Sequence, residues 1–594
     1  MNFSQFCQYL QKLEDTSSRL EMTAQLASLF KELQSDEVAV ACYLMQGRLV
    51  PIYKSLEFQM SDKLLMRAFA KVLSRLAPDE SLPPSNLFDQ QDDSLYLKKI
   101  VQAYKKIGDL GLTIEALLKD VNQQSSQSIL DVYQELKVIA KDNGDGSQDR
   151  KVEQTAILLL KLDSISAKFV SRIILGKIRL GFSTMTMIDG LSWLAYRDKT
   201  DSLKIEEAYQ KKADIGKLAQ GYLAVSSKND RDNFLKSYLL ESGVPVLPAL
   251  CQRLNSANEI VEKMGEVIVE PKYDGLRAQI HINKLDKQAP IKIFTRSLED
   301  VTHMFPETSE LLKQVDATSC IFDAEAIGYD SATGILLPFQ QTITRKRKHD
   351  VLEQSDSTPI RFYLFDLLFL DGASLIDDTL MQRKRKLTKI VTPNQFVQTT
   401  DFIITSSAEQ VHQYHAKQLK DGLEGAVIKK VDSRYRAGRK GWRWVKIKEQ
   451  EGERGKLSDS LDCVVIGYYL GKGKRTKFGV GAFLAGVLAN SGEIKTIAKI
   501  GTGLSDDQFL DLKKKADTVQ AQKQPSCYDV PKELKPDVWL EPEIIVEIAA
   551  DELTNSPLHT AKKALRFPRL IKFRDDKKLE QITTIEELGE IKVV

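Results

Sequence analysis

At 594 residues the chain is too long for a single hydrophobic core, and about three to four domains are expected. Its 42% hydrophobic and 28% charged residues exclude a disordered or fibrous chain. A net charge of +3 excludes a protein that is basic as a whole, so any polyanionic partner must be met by local basic surfaces.

The opening MNFSQFCQYLQKLED lacks a basic segment followed by an apolar core, and no apolar run reaches membrane-spanning length. A soluble, cytoplasmic protein without membrane association is expected. The six cysteines, Cys7, Cys42, Cys251, Cys320, Cys463 and Cys527, show no C-x-x-C and no paired spacing. This supports neither a zinc site nor a disulfide framework, and fits a reducing compartment.

From residue 1 to about 230 the pattern is helical. Phe3, Phe6, Leu10 and Leu13 recur at three- and four-residue steps, and similar stripes run through IEALLKDV and QTAILLLKLDSISAKFVSRIIL. Polar loops such as DESLPPSN and KDNGDGSQD punctuate it. An all-α first domain over 1–230 is expected.

Around GVPVLPAL the pattern changes. From Val267 onward, VIVEPKYDG, IKIFTR, CIFDAEAIG, RFYLFDLLFL and GAVIKK alternate with helices, which predicts an α+β domain over 231–448 ending at WVKIK. Within EPKYDGLRAQI, Leu276, Ala278, Ile280 and Ile282 alternate with Arg277, Gln279 and His281, the period of a half-buried strand with Arg277 on its polar face. Lys272 stands in a tight K-x-D-G turn at that strand's entrance, and Gly275 permits a backbone conformation or close approach that a Cβ would forbid. After the polar stretch EQEGERGKLSDS, the runs DCVVIGYYL, GAFLAGVL, EIKTIAKI and EIIVEIAA are strands at short spacing with Gly- and Lys-rich turns, predicting a small barrel or sandwich over 449–594.

K-x-D-G alone has three fixed letters and occurs by accident. Here it is followed by TRSLEDV with Arg296, FDAEAIG with Glu325, LFDLLFLDG with Phe365, DGLEGAVIKK with Glu424, WVKIK with Lys446 and Lys448, and ALRFPRLIKFRDDK. This ordered set, spread over some three hundred residues, resembles the ATP-dependent DNA ligases of the archaeal and eukaryotic replicative type, within the covalent nucleotidyltransferase superfamily. FSQFCQYLQKLEDTSSRLEMT, CYLMQGRLVP and RIILGKIRLGFS resemble that family's helical DNA-binding domain, so the likeness covers nearly the whole chain. The resemblance implies a helical DNA-binding domain, an adenylation (nucleotidyltransferase) domain and a β-barrel OB-fold domain. It also implies a monomer that seals nicked double-stranded DNA in replication, repair and recombination. ATP would be the co-substrate and Mg2+ the metal, with Mn2+ as a substitute. No convincing sliding-clamp peptide is found.

By the same resemblance Lys272 is the nucleophile that takes AMP from ATP, and an amine attacks only when neutral, which calls for burial, cationic neighbours or a metal. Lys446 and Lys448 alternate on one strand and so share a side, either meeting phosphates or forming an exposed face. Glu325 and Glu424 would help place metal, and Glu325 would also reach the ribose. Phe365 lies in an almost continuous apolar run and reads as core; the family pattern makes it the aromatic that stacks on adenine. Glu270 would hydrogen-bond the base, and Arg277 and Arg296 would bind nucleotide or the 5′-phosphate. Residues 561–578 carry eight basic residues against two aspartates, a solvated charge run or, in the family, the segment that presents Arg566 and Arg569 to pyrophosphate. GKGKRTKFG reads as a mobile basic hairpin tip for backbone phosphates or an ordinary hairpin turn. Lys440 stands beside Arg439 where relatives commonly carry arginine, and Leu570 and Lys572 replace a frequent aromatic and arginine. An RNA ligase or capping guanylyltransferase shares K-x-D-G but leaves the helical third unexplained; an NAD-dependent ligase would bring a cysteine zinc cluster. A non-catalytic DNA-binding scaffold is the alternative from another class.

Overall fold

A computed structural model describes residues 1–76, 94–119, 126–254, 256–337, 359–447, 460–550 and 552–590. The chain divides into two compact units, Met1–Leu65 with Asn122–Lys448, and Met66–Val121 with Glu449–Val594. None of the described helices is long and apolar enough to cross a membrane.

The amino-terminal region is helical, as its three- and four-residue apolar spacing requires. Phe3–Asp15 buries Phe3, Phe6, Cys7, Leu10 and Leu13 along one face, and the Asn2 side chain caps it by accepting from the Ser4 N–H at 2.8 Å. The long stripe QTAILLLKLDSISAKFVSRIIL is two helices, Ser147–Leu159 and Ser164–Ile174, because Asp163 takes the cap position of the second and accepts from the Ser166 N–H. The helix Ser164–Ile174 carries two buried cations back to Phe3–Asp15: Lys168 donates to Gln11 at 2.6 Å and Arg172 pairs with Glu14 at 2.9 Å. The run of helices ends with Lys228–Ser237.

Beyond it, two sheets face one another. The first has the order β1-β11-β10-β2-β9, with β1 Gln252–Leu254, β2 Val267–Pro271, β9 Ile403–Thr405, β10 Ala426–Lys430 and β11 Trp444–Ile447. The second has the order β4-β3-β5-β6-β7, with β3 Leu276–Asn283, β4 Ile291–Thr295, β5 Ser319–Gly328, β6 Ile360–Leu370 and β7 Ala373–Ser374, while β8 Val397–Thr399 runs parallel to β6. Alternation assigns one face of each sheet to a core. Val269, Ala426, Ile428 and Val445 pack with Ile260, Met264 and Val411 from the helices Ala257–Met264 and Ala408–Lys420. Ala278, Ile280, Phe322, Ala324, Phe362 and Leu364 pack with Leu311 and Leu387. The opposite faces are left for side chains with chemistry.

The polar face expected of β3 is not solvated. Gln279 and His281 are buried because the irregular segment 243–246, ahead of β1, lies over them. Val246 donates its N–H to Gln279 Oε1 at 2.7 Å and accepts from Gln279 Nε2 at 3.1 Å, and Gly243 N–H donates to His281 Nδ1 at 3.1 Å. Their polarity is spent on these backbone partners, on each other and, for Gln279, on Asp323, rather than on water.

In the second unit, β12 Leu461–Leu470, β13 Val480–Leu488, β14 Ile494–Ile500, β15 Gln520–Ala521, β16 Tyr528–Asp529 and β17 Val538–Leu540 form one sheet. β18 Ile545–Ala549 joins it beside β12 and carries β21 Arg569–Phe573, while β19 Glu552–Asn555 and β20 Lys563–Arg566 form a separate ribbon. This is a branched eight-stranded sheet, not a closed barrel, among the described residues. Both of its faces are apolar because both alternating sets in DCVVIGYYL are: Cys463 and Val465 pack toward Phe509 and Leu512 of the helix Asp506–Thr518, and Val464 and Ile466 toward Tyr528 and Leu534. The basic segment 471–479 is a short 3-10 helix, Gly473–Phe478, rather than a plain hairpin turn. Phe567 adopts a positive φ of 51° and Pro568 follows, turning β20 into β21.

Candidate active site

A cavity of about 920 Å3 opens between the two sheets of the first unit. Each wall follows from strand register. On the first sheet Val427 is paired with both Glu270 and Lys446, and Lys429 with Trp444, so the faces of β2, β10 and β11 opposite the apolar core present Glu270, Lys429, Trp444 and Lys446. On the second sheet Arg277 is paired with Glu325, and Phe365 projects from β6 into the same space.

Lys272 stands where the chain leaves β2 in one sheet for β3 in the other. Its peptide continues the β2–β10 ladder: Lys272 N–H donates to Gly425 O at 2.8 Å, and Glu424 N–H donates to Lys272 O at 3.0 Å. Glu424 is thereby fixed beside it, and the two side chains form an ion pair. Gly275 is required by close approach, not by φ. A Cβ there would lie 2.7 Å from Ile327 Cγ1 and 2.8 Å from Ala326 O, so the K-x-D-G turn presses directly against β5.

Burial first, and then the neighbouring Lys446 charge, hold the Lys272 ammonium below its ordinary pKa. Lys446 is itself lowered, by burial and then by Arg253. Burial pushes the Glu325 carboxyl up to about 7 against the pull of Arg277 and Lys272. Arg277 is locked between layers: it donates to Ala249 O at 2.5 Å and to Asp323 at 2.8 Å, and lies over the rings of Phe365 and Trp444, each 5.5 Å away. Asp323 is fully buried and also accepts from the Tyr435 hydroxyl at 2.7 Å.

Glu270 lies at the floor, 2% exposed, between two buried lysines, Lys429 at 2.6 Å and Lys384. Lys384 is held there by its neighbour: Arg383 makes a two-pronged pair with Asp366, at 2.7 and 2.9 Å, inside the core. Phe365 is half-buried. It packs on the cluster of Ile321, Leu368 and Trp444 and meets the Trp444 ring edge at 6.0 Å, so it serves the core and lines the cavity at once.

The structure thus gathers Glu270, Lys272, Arg277, Arg296, Glu325, Phe365 and Lys446 around one cavity, with Glu424 at its edge on Lys272. Lys440 is not among its walls. Its ammonium is engaged by Glu206 of the helical region at 2.7 Å, and Arg439, one residue earlier, lines the cavity instead. Lys448 lies outside the described residues. Arg566 and Arg569 belong to the second unit, at the end of β20 and the start of β21. Sequence reasoning missed Asp323, Lys384, Thr400, Lys429 and Trp444. Trp444 was within reach of it, one alternation step from Lys446, and Lys429 stands in the run GAVIKK that was read as a strand.

Among the described residues no group of three or more potential metal ligands is assembled. Glu325 and Glu424, both near Lys272, offer the oxygen donors that a hard divalent cation takes, and a carboxyl whose proton affinity is raised by burial gains from a cation nearby. The residues fit such an ion.

A cavity with a carboxylate at its floor, an aromatic wall and a rim of Arg253, Arg296, Arg439 and Lys446 around a lysine of lowered pKa is suited to a ligand that is both aromatic and anionic, as a nucleotide is. Comparison with known proteins gives the family. Residues 2–192 match "DNA ligase N terminus", 248–448 "ATP dependent DNA ligase domain" and 476–577 "ATP dependent DNA ligase C terminal region". The chain is 36% identical over 602 residues to the "Probable DNA ligase" of Dictyoglomus turgidum, covering all of this chain and 97% of that one. It is 34% identical over 613 residues to the "DNA ligase" of Pyrobaculum islandicum, covering all of this chain and 98% of the other. A solved structure named Pmar-Lig_PreS3 shares the fold with a TM-score of 0.55 at 16% identity, covering 96% of this chain and 99% of that one. The chain belongs to the ATP-dependent DNA ligase family, and it is a DNA ligase that consumes ATP.

Proposed function

We propose that Lys272 carries the adenylate and that the cavity around it is the site of the chemistry. The observation that supports this most is the placement of a half-buried lysine of lowered pKa on the turn joining the two sheets, facing cations suited to a triphosphate. The neutral Lys272 amine attacks the α-phosphorus of ATP. The new Nζ–P bond forms as the bond to the β-phosphate oxygen breaks, and pyrophosphate leaves. A 5′-phosphate oxygen at a nick then attacks the same phosphorus, releasing Lys272 and giving a DNA adenylate. The 3′-hydroxyl attacks the 5′-phosphorus, AMP departs, and the strand is sealed.

Phe365 and Trp444 supply apolar area for the base, and Glu270 accepts from its exocyclic amine. Arg277, immobilised by Asp323, offers a preorganised cation to the sugar or to phosphate. Lys446, Arg296 and Arg439 neutralise the phosphates, with Lys448 as a further donor. Glu325 and Glu424 would hold magnesium, or manganese in its place, which would supply Lewis-acid charge neutralisation at the phosphates. Arg566 and Arg569 orient the leaving pyrophosphate. The domain reading that goes with this is a helical DNA-binding domain over 1–230, an adenylation domain over 231–448 and an OB-fold over 449–594, acting as a cytoplasmic monomer on nicked duplex through phosphate contacts. Replication, repair and recombination are the settings proposed for it.

The test is to incubate the protein with ATP and magnesium, digest it and locate the adduct by mass spectrometry. AMP on the peptide bearing Lys272, and none in Lys272→Arg, is expected; AMP on another lysine would overturn the assignment.

A further inference from the structure

Thr400 has no place in the mechanism above, yet its surroundings are unusual. It follows β8 and is tied to β6 by its own backbone, its N–H donating to Leu364 O at 2.9 Å, next to Phe365. The residue is 4% exposed and lines the nucleotide cavity together with Glu270, Lys429 and Phe365. Its Oγ1 is buried and has no hydrogen-bond partner among the described residues. Buried hydroxyls are almost always paired, because an unpaired one has lost water without replacement. Valine would fill the same volume without that cost. An unpaired threonine hydroxyl on a residue that lines a ligand cavity is therefore a group that a bound ligand can satisfy.

The floor of the cavity says which part of the ligand. Glu270 is a carboxylate and accepts only, and two of its lone-pair sites are already taken by Lys384 and Lys429. It can take the exocyclic amine of a purine but can give nothing to the ring nitrogens, which are acceptors. The cations beside the aromatic wall are already engaged, Lys429 by Glu270 and Arg277 by Asp323 and Ala249 O, which leaves the Thr400 hydroxyl as an uncommitted neutral donor there. We propose that Thr400 is a base-reading residue: its hydroxyl donates to a ring nitrogen of the adenine whose amine is bound by Glu270. This rests on the reading of the cavity as the ATP site.

The experiment compares wild type, Thr400→Val and Thr400→Ser in Lys272-dependent self-adenylation, with ATP and with its 1-deaza, 3-deaza and 7-deaza analogues, each lacking one ring nitrogen. Removing an unpaired hydroxyl leaves the nucleotide-free protein's melting temperature unchanged or higher in Thr400→Val, whereas KM for ATP rises roughly fivefold to twentyfold. The serine variant stays near wild type. The loss vanishes on one deaza analogue, because that analogue has already lost the contact. An ATP KM within twofold of wild type in Thr400→Val, or the same loss on ATP and on all three analogues, would overturn the proposal. If wild type itself forms no adduct on Lys272 with ATP, the reading of the cavity fails rather than the role of Thr400.

Discussion

Removing the positive charge of Lys446 should move the pH at which Lys272 becomes reactive. As the proposed nucleophile Lys272 attacks only as the free amine, and its pKa is held down first by burial and next by Lys446. Lys446→Met deletes the second cause and keeps most of the volume. The sign is fixed: with one like charge gone the ammonium is less disfavoured, the Lys272 pKa rises, and less free amine is present at any pH below it. At a separation of ~6 Å and an effective dielectric of about 20–80, one charge is worth ~0.7–3 kcal/mol, or about 0.5–2 pH units. Glu325 and Asp274 pull the other way and are unchanged in both proteins, so the difference isolates Lys446. The assay is single-turnover self-adenylation with labelled ATP across pH 5.5–10, plotted as kcat/KM, whose acid limb reports the free enzyme. With Lys446 in its proposed role at the phosphates, the plateau falls as well; the position of the limb is the diagnostic. Lys446→Arg keeps the charge and should leave the limb in place. An acid limb in Lys446→Met that coincides with wild type, or lies at lower pH, would refute the account of how Lys272 is made nucleophilic.

Other outcomes follow from the same geometry. Glu325 has a folded-state pKa of about 7, above its ordinary value of 4.5, so the folded protein holds the extra proton and its stability falls as pH rises through that window. Denaturation of nucleotide- and metal-free Glu325→Gln should therefore match wild type near pH 5 and exceed it near pH 8 by about 1–3 kcal/mol, while self-adenylation is lost. Gly275→Ala places a Cβ 2.7–2.9 Å from β5 atoms, which should cost about 1–3 kcal/mol in stability and displace Lys272, lowering adenylation more than tenfold. Arg439→Ala should raise KM for ATP roughly tenfold in filter-binding adenylation assays, whereas Lys440→Ala, which loses only a part-exposed pair with Glu206, should change it less than threefold.

Strand positions were legible in the sequence wherever alternation was clean. β5, β6, β10, β12, β13 and β14 fall on the runs CIFDAEAIG, RFYLFDLLFL, GAVIKK, DCVVIGYYL, GAFLAGVL and EIKTIAKI. Which faces were covered was not legible. Gln279 and His281 look like the solvent face of a half-buried strand, and only the tertiary placement of residues 243–246 buries them. The strands of the second unit carry apolar residues on both alternating sets, a pattern that a sandwich, a barrel or a sheet covered on two sides can all produce. The site was legible in the K-x-D-G turn and the charged residues after it, because chemistry concentrates in polar residues that interrupt apolar runs. Thr400, Asp323 and Lys384 escaped because a single threonine, a buried aspartate and one lysine in a basic helix have no local signature. Their roles come from what they face. Arg439 and Lys440 are adjacent in sequence, and only the turn's geometry decides which one reaches the cavity.

The most direct test of the central claim is a chase. The protein labelled with α-phosphate-labelled ATP is freed of nucleotide and mixed with a nicked DNA duplex, alongside Lys272→Ala carried through the same steps. The account predicts label on wild type only, its transfer to the 5′-phosphate, and its release as AMP in step with strand sealing. Label that persists on the protein while the nick stays open, or sealing by Lys272→Ala, would contradict it.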